Sequence, residues 1–261
     1  MQVRPGAANW RIIVAGGMTV KQNGRDGAGG HGHGHSRPGA RIGQAIRGAA
    51  ASACDPMRMA VPNPFNRADY LLAAHTHRQL PPDGGREVAF AGRSNAGKSS
   101  ALNALCGRNA LARVSKTPGR TQQLVYFSLP PHEGKYLVDL PGYGYAKVPQ
   151  DLQAHWQAFL DGYFGSRGAL GGLVVVMDMR HPLKDYDRHM IGYAMRRGLP
   201  AHALLTKADK LSRGAAMNTV QAVRKDLSAT YGDSVSVQGF SGETKQGVDE
   251  LRAVVAGWLE I

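Results

Sequence analysis

The sequence predicts an α/β domain of three layers, with a mostly parallel six-stranded sheet, one antiparallel strand and helices on both faces. Three observations lead there. From Arg86 onward, short apolar runs alternate with stretches of helical period. Residues 173–177, Leu-Val-Val-Val-Met, form an unbroken apolar run, which suits a strand buried on both faces. The first run, residues 86–91, leads into a glycine-rich turn followed by a helical segment, the strand–turn–helix order of a ligand-binding α/β edge.

In chain order, residues 86–91 are expected to form the first strand and 98–105 the helix after its turn. Residues 125–129 and 136–140 read as a hairpin pair joined through residues 130–134, Pro-Pro-His-Glu-Gly. Helical spacing follows over 152–163, then the strand 173–177, a helix over 186–197, a strand over 203–205, a helix over 215–231, a strand over 235–237 and a helix over 248–259. These elements make one domain spanning 85–261. Residues 57–84 are read as a lead-in segment. Residues 1–56 are rich in Gly, Ala and Arg and hold no apolar period, and they read as a disordered basic tail or as the product of a start assigned upstream of Met57 or Met59. His31, His33 and His35 sit there among glycines that preorganise no metal site.

Composition narrows the function classes. No apolar stretch approaches the roughly 18 residues of a membrane-spanning helix. Cys54 and Cys106 are the only cysteines, too few for a disulfide framework or a zinc cluster, and a reducing cytoplasm is expected. A formal charge of +13 points to polyanionic partners. Lys135, Arg180, Lys184, Arg188, Arg196, Arg197, Arg213, Arg224 and Lys225 are the candidates for phosphate contacts.

The chemistry is carried by five short motifs. Gly92-Arg93-Ser94-Asn95-Ala96-Gly97-Lys98-Ser99 has the spacing of a phosphate-binding loop: backbone N–H groups wrap a phosphate, Lys98 neutralises its charge and the Ser99 hydroxyl ligates Mg²⁺. Asp139-Leu140-Pro141-Gly142 ends a strand and offers a carboxylate to a magnesium-bound water, with the Gly142 N–H facing a γ-phosphate. Between them, Gly119-Arg120-Thr121-Gln122-Gln123 supplies Thr121 as a second protein ligand to Mg²⁺. Thr206-Lys207-Ala208-Asp209 follows a strand, where Asp209 can accept from N1–H and the exocyclic amine of guanine while the Lys207 stem lies over the purine. Phe240-Ser241-Gly242 is expected to present backbone N–H groups to the guanine carbonyl oxygen. Together they call for GTP or GDP with Mg²⁺. A P-loop kinase or ATPase acting on a small molecule is the alternative.

These motifs, above all residues 116–122 (Lys-Thr-Pro-Gly-Arg-Thr-Gln) and 138–146 (Val-Asp-Leu-Pro-Gly-Tyr-Gly-Tyr-Ala), resemble those of the EngB (YihA/YsxC) family of bacterial ribosome-biogenesis GTP-binding proteins, over roughly residues 63–261. The resemblance implies a P-loop GTPase domain without appended modules, a weak magnesium-dependent GTPase, and a switch role in large-subunit assembly with links to cell division and septation. It implies as partner the rRNA and proteins of a large-subunit precursor, no DNA, and a monomer. Lys98, Thr121, Gly142 and Asn95 are the residues expected to act at the reacting phosphate. Tyr143 stands where Ras-like proteins carry the water-orienting glutamine, so hydrolysis is expected to be slow, and Asn95 is where potassium-using GTPases carry their asparagine.

Overall fold

The structure, a computed structural model, describes residues 62–112, 123–143 and 150–261. All belong to one compact unit, Arg58–Ile261. Its strands are β1 (Asp69–Ala74), β2 (Arg86–Gly92), β3 (Leu124–Leu129), β4 (His132–Asp139), β5 (Leu170–Asp178), β6 (Ala201–Thr206) and β7 (Val235–Gly239). Its helices are α1 (Lys98–Cys106), α2 (Gln150–Ser166), α3 (Asp185–Arg196), α4 (Arg213–Tyr231) and α5 (Val248–Leu259).

The strands lie in the order β1-β3-β4-β2-β5-β6-β7, and β3 alone runs against its neighbours. Because side chains alternate across a strand, β2 serves two cores. Val88 and Phe90 join Val174, Val176 and Leu204 beneath α1 and α5. Ala89 and Ala91 join Leu173, Val175 and Met177 on the other face, against Phe159 and Tyr163 of α2, Ile191 of α3 and Leu227 of α4. The expected three layers follow from this division.

The sheet has one strand more than expected, because β1 lies within the segment read as a lead-in. Its burial runs from exposed at Asp69 to buried at Ala74 without alternation, and its register with β3 shifts between Tyr70 and Leu72, so no period of two was there to find. Phe65, just ahead of it, is fully buried in the α1/α5 core, and Asn63 donates to the Leu105 carbonyl at 3.1 Å. The β3–β4 connection is also shorter than expected, since β4 begins at His132 and only Pro130 and Pro131 lie between the strands.

Chain order places the site. From β2 the chain adds β3 and β4 on one side of the sheet and then crosses to β5 on the other, which makes the carboxyl end of β2 a topological switch point. The register sets Phe90 beside Asp139, Gly92 beside Val176 and Asp178 beside Thr206, so several strands end along one edge.

At the opposite end of β2 sits a buried charge. Glu87 accepts from Arg167 through Nε at 3.0 Å and through Nη2, from the Tyr163 hydroxyl at 2.9 Å and from the Tyr126 hydroxyl at 3.2 Å. With its partners in place the carboxylate is satisfied, but removing it would leave two buried hydroxyls without this acceptor and the buried guanidinium with Asp83 at 3.6 Å as its remaining carboxylate. Glu87→Ala is therefore expected to lower stability by about 3–5 kcal/mol in urea unfolding monitored by circular dichroism.

Candidate nucleotide site

β2 runs into the phosphate loop, and α1 begins at its last residues. Gly97 caps that helix with φ of +95°, a conformation any side chain would strain. Asn95 also takes a left-handed turn, φ +60°, which asparagine tolerates. With these two turns the backbone curls over the amino end of α1, where unsatisfied N–H groups and the helix dipole favour an anion.

Lys98 opens α1 and its ammonium pairs with the Asp139 carboxylate at the end of β4. Ser99 follows on the same first turn. A helix-start hydroxyl and a strand-end carboxylate are oxygen donors of the kind Mg²⁺ takes when phosphates and waters complete its shell, so the residues fit that ion. Among the described residues there is no cluster of three or more His, Cys, Asp or Glu side chains that could hold a metal ion. Leu140 is buried and donates its amide to Phe90 at 3.0 Å. After Pro141 comes Gly142, so near the phosphate loop that a Cβ on it would stand 3.2 Å from the Ser94 nitrogen. Arg93 and Ser94 lie against Tyr143: the Ser94 N–H donates to the Tyr143 carbonyl at 3.1 Å and the Tyr143 N–H to the Gly92 carbonyl at 3.3 Å.

The end of β6 forms the far wall. Thr206, buried, holds its hydroxyl on the carbonyls of Ala96 and of Met177, the latter at 3.0 Å. The hydroxyl thus ties the end of β6 to the phosphate loop and to the end of β5. Lys207 has φ of +60° and is held by its ammonium, 2.6 Å from the Asn95 carbonyl and 3.0 Å from Asp178. Ala208 donates its N–H to the Phe240 carbonyl at 3.0 Å. The Asp209 carboxylate accepts from the Ser241 hydroxyl at 2.6 Å and pairs with Lys210 at 2.9 Å, and these contacts, the first above all, hold it below the usual carboxylate range. Between this wall and α1 lies a cleft of about 400 Å³, lined among others by Gly97, Lys207, Asp209, Phe240 and Gly242.

In one respect the amide donors are fewer than expected. Phe240 gives its N–H to Leu205 at 2.8 Å and Ser241 gives its N–H to Gln246 at 3.0 Å, so of the three residues only Gly242 has an amide with no acceptor among the described residues. Phe240 and Ser241 instead build the turn that faces Asp209. Gln123, just ahead of β3, has its side-chain amide against Nε2 of His75. Gly119, Arg120, Thr121 and Gln122 lie outside the described residues, as do the tail of residues 1–56 and residues 144–147.

Several basic side chains proposed for external phosphates have internal partners. Arg188 is bidentate on Asp226 at 2.7 and 2.9 Å, Arg196 stacks over the Tyr193 ring, and Arg197 and Arg224 donate to the carbonyls of Arg167 and Val237. Arg180 grips Asp178 at 2.9 and 2.6 Å.

Asp178 is the residue the sequence argument passed over. It closes β5 and holds both Arg180 and Lys207, and the available signal was a carboxylate at the carboxyl end of a central apolar strand.

Comparisons with known proteins agree with this geometry. Residues 87–207 match the family described as "50S ribosome-binding GTPase". The chain is 72% identical over 195 residues to a probable GTP-binding protein EngB of Xanthomonas campestris, covering 75% of this chain and 93% of that protein. It is 74% identical over 195 residues to the protein of the same description from Stenotrophomonas maltophilia, covering 75% and 96%. Among solved structures, a probable GTP-binding protein engB superposes with a TM-score of 0.53 at 17% identity, over 67% of this chain and 98% of that one, which bears on the fold alone.

Arg180, first, and then Lys207 hold the Asp178 carboxyl far below its ordinary range. A carboxylate with a depressed folded pKa stabilises the fold above the unfolded value near 4 and loses that contribution as the pH falls. Asp178→Asn should thus lower stability by about 1–2 kcal/mol at pH 7, with the difference from the unaltered chain shrinking below about pH 4 in pH-resolved thermal unfolding.

Proposed function

The chain belongs to the EngB family, and on that premise we propose that it binds GTP and GDP with Mg²⁺ and hydrolyses GTP slowly, as a switch in assembly of the large ribosomal subunit. The observation that carries the reading is the pairing of two walls. A phosphate loop opens α1, and across the cleft Asp209, steadied by Ser241, turns a carboxylate toward the space where a base would lie. Guanine offers N1–H and an exocyclic amine to such an acceptor, and adenine offers neither in that arrangement. The Gly242 amide supplies a donor for the guanine carbonyl, and the Lys207 stem covers the ring.

Ser99, Asp139 and Thr121 would hold Mg²⁺, whose charge would neutralise the phosphates. Lys98 answers the same phosphates, Gly142 meets the γ-phosphate with its N–H, and Asn95 is the candidate oxygen donor to a K⁺ at the phosphate loop. The Tyr143 hydroxyl is bound at 2.9 Å to Asp187, which supports slow turnover, because the side chain at the water-orienting position is engaged elsewhere and carries no amide. The basic balance of the chain and the family's description support a ribosomal RNA and protein partner. A cytoplasmic monomer that also serves division and septation completes the reading.

Association with large-subunit precursors is tested by sedimentation through sucrose gradients. Co-migration is expected with a non-hydrolysable GTP analogue and not with GDP, and should weaken steeply with salt; equal migration in both nucleotide states would overturn the switch. Turnover should be faster in KCl than in NaCl at equal ionic strength, and equal rates would remove Asn95 from any role with K⁺.

A further inference from the structure

Tyr143 is tied at both ends. Its backbone is joined to the phosphate loop through Gly92 and Ser94, and its hydroxyl donates to Oδ1 of Asp187 in the first turn of α3. Asp187 is only 1% exposed, and its other oxygen accepts from the Lys184 N–H at 2.9 Å, so the carboxylate caps α3 and receives the tyrosine at once. Tyr186 closes the arrangement from outside, its ring stacked on that of Tyr143 with centroids 5.7 Å apart and planes 28° from parallel. Without the hydroxyl bond, the residue after Pro141-Gly142 would be kept on the phosphate loop by two backbone bonds of 3.1 and 3.3 Å.

We propose that Asp187 is a positioning residue for the nucleotide site: by holding Tyr143 it fixes Gly142 against the phosphate loop, where its N–H can meet a γ-phosphate. The proposal rests on the reading of this cleft as a GTP site. A carboxylate buried this deeply is costly unless its acceptors are filled, so the arrangement persists only while Tyr143 stays docked. The contact also ties the start of α3 to the phosphate edge, so that a displacement of Gly142 is felt at the cap of that helix.

The consequence separates GTP from GDP, since only GTP has the group that Gly142 meets. Tyr143→Phe removes one hydroxyl and keeps the ring on Tyr186, and Asp187→Asn replaces the charged acceptor of that hydroxyl by a neutral amide, whose bond is weaker. Each should weaken binding of a non-hydrolysable GTP analogue by about fivefold relative to GDP, the loss of one hydrogen bond of about 1 kcal/mol. Displacement of fluorescent GDP in the presence of Mg²⁺ measures both affinities. If Asp187 acts through Tyr143, the double variant will show the same ratio as the single ones. Asp226→Asn, which breaks the Arg188 pair on the same helix, should leave the ratio unchanged.

A GTP-to-GDP ratio unchanged in both Tyr143→Phe and Asp187→Asn, with nucleotide binding intact, would overturn the role of Asp187 alone. So would a ratio that rises, or effects that add in the double variant. Failure of the unaltered chain to bind guanine nucleotide would overturn the site reading and the proposal together.

Discussion

A loop that leaves the strands to reach the start of a helix must still satisfy its carbonyls, and here two of them are satisfied by the end of β6. Thr206 reaches the carbonyl of Ala96, and Lys207 that of Asn95. The strand that leads to Asp209 therefore also braces the loop that precedes Lys98. The two walls of the cleft are held at one spacing by bonds between them, and the parallel sheet beneath sets that spacing through the register of β2, β5 and β6. Asp178 adds the third point by anchoring Lys207.

Much of this was legible in the sequence, because phosphate binding requires glycine, lysine and hydroxyl at fixed spacing on a strand–turn–helix, and because a strand buried on both faces has to be apolar throughout. The placement of Lys98, Asp139 and Asp209 on one sheet edge followed from those demands. What stayed hidden were features set by contacts between distant segments. β1 has neither alternation nor a turn signal, and its place in the sheet is decided by pairing with β3 and by Phe65 entering a core built with residues as distant as Leu259. Asp187 looks like an ordinary surface acid in sequence and Asp178 shows only its place at the end of an apolar strand, and only the fold brings Lys207 to Asp178 and Tyr143 to Asp187. The amides of Phe240 and Ser241 were assigned outward because sequence cannot show that Leu205 and Gln246 already accept them.

The basic residues teach a related lesson. Counted along the chain they suggest a broad cationic surface, yet Arg180, Arg188, Arg197 and Arg224 each serve a fixed internal acceptor. Formal charge overstates what such a surface presents, since a guanidinium already paired offers a partner only its unused donors. Lys135, Lys184, Arg213 and Lys225 remain the stronger candidates for external phosphates.

The Glu87 cluster has a mechanical meaning. Arg167, just beyond α2, together with Tyr163 of that helix and Tyr126 of β3, converges on one carboxylate at the amino end of β2. The carboxyl end of α2 is thereby pinned to β2 at the end remote from the nucleotide edge, while β3 reaches the same carboxylate through Tyr126, whose backbone lies opposite Val138. The helix cannot slide along the sheet without drawing a buried guanidinium away from its carboxylate.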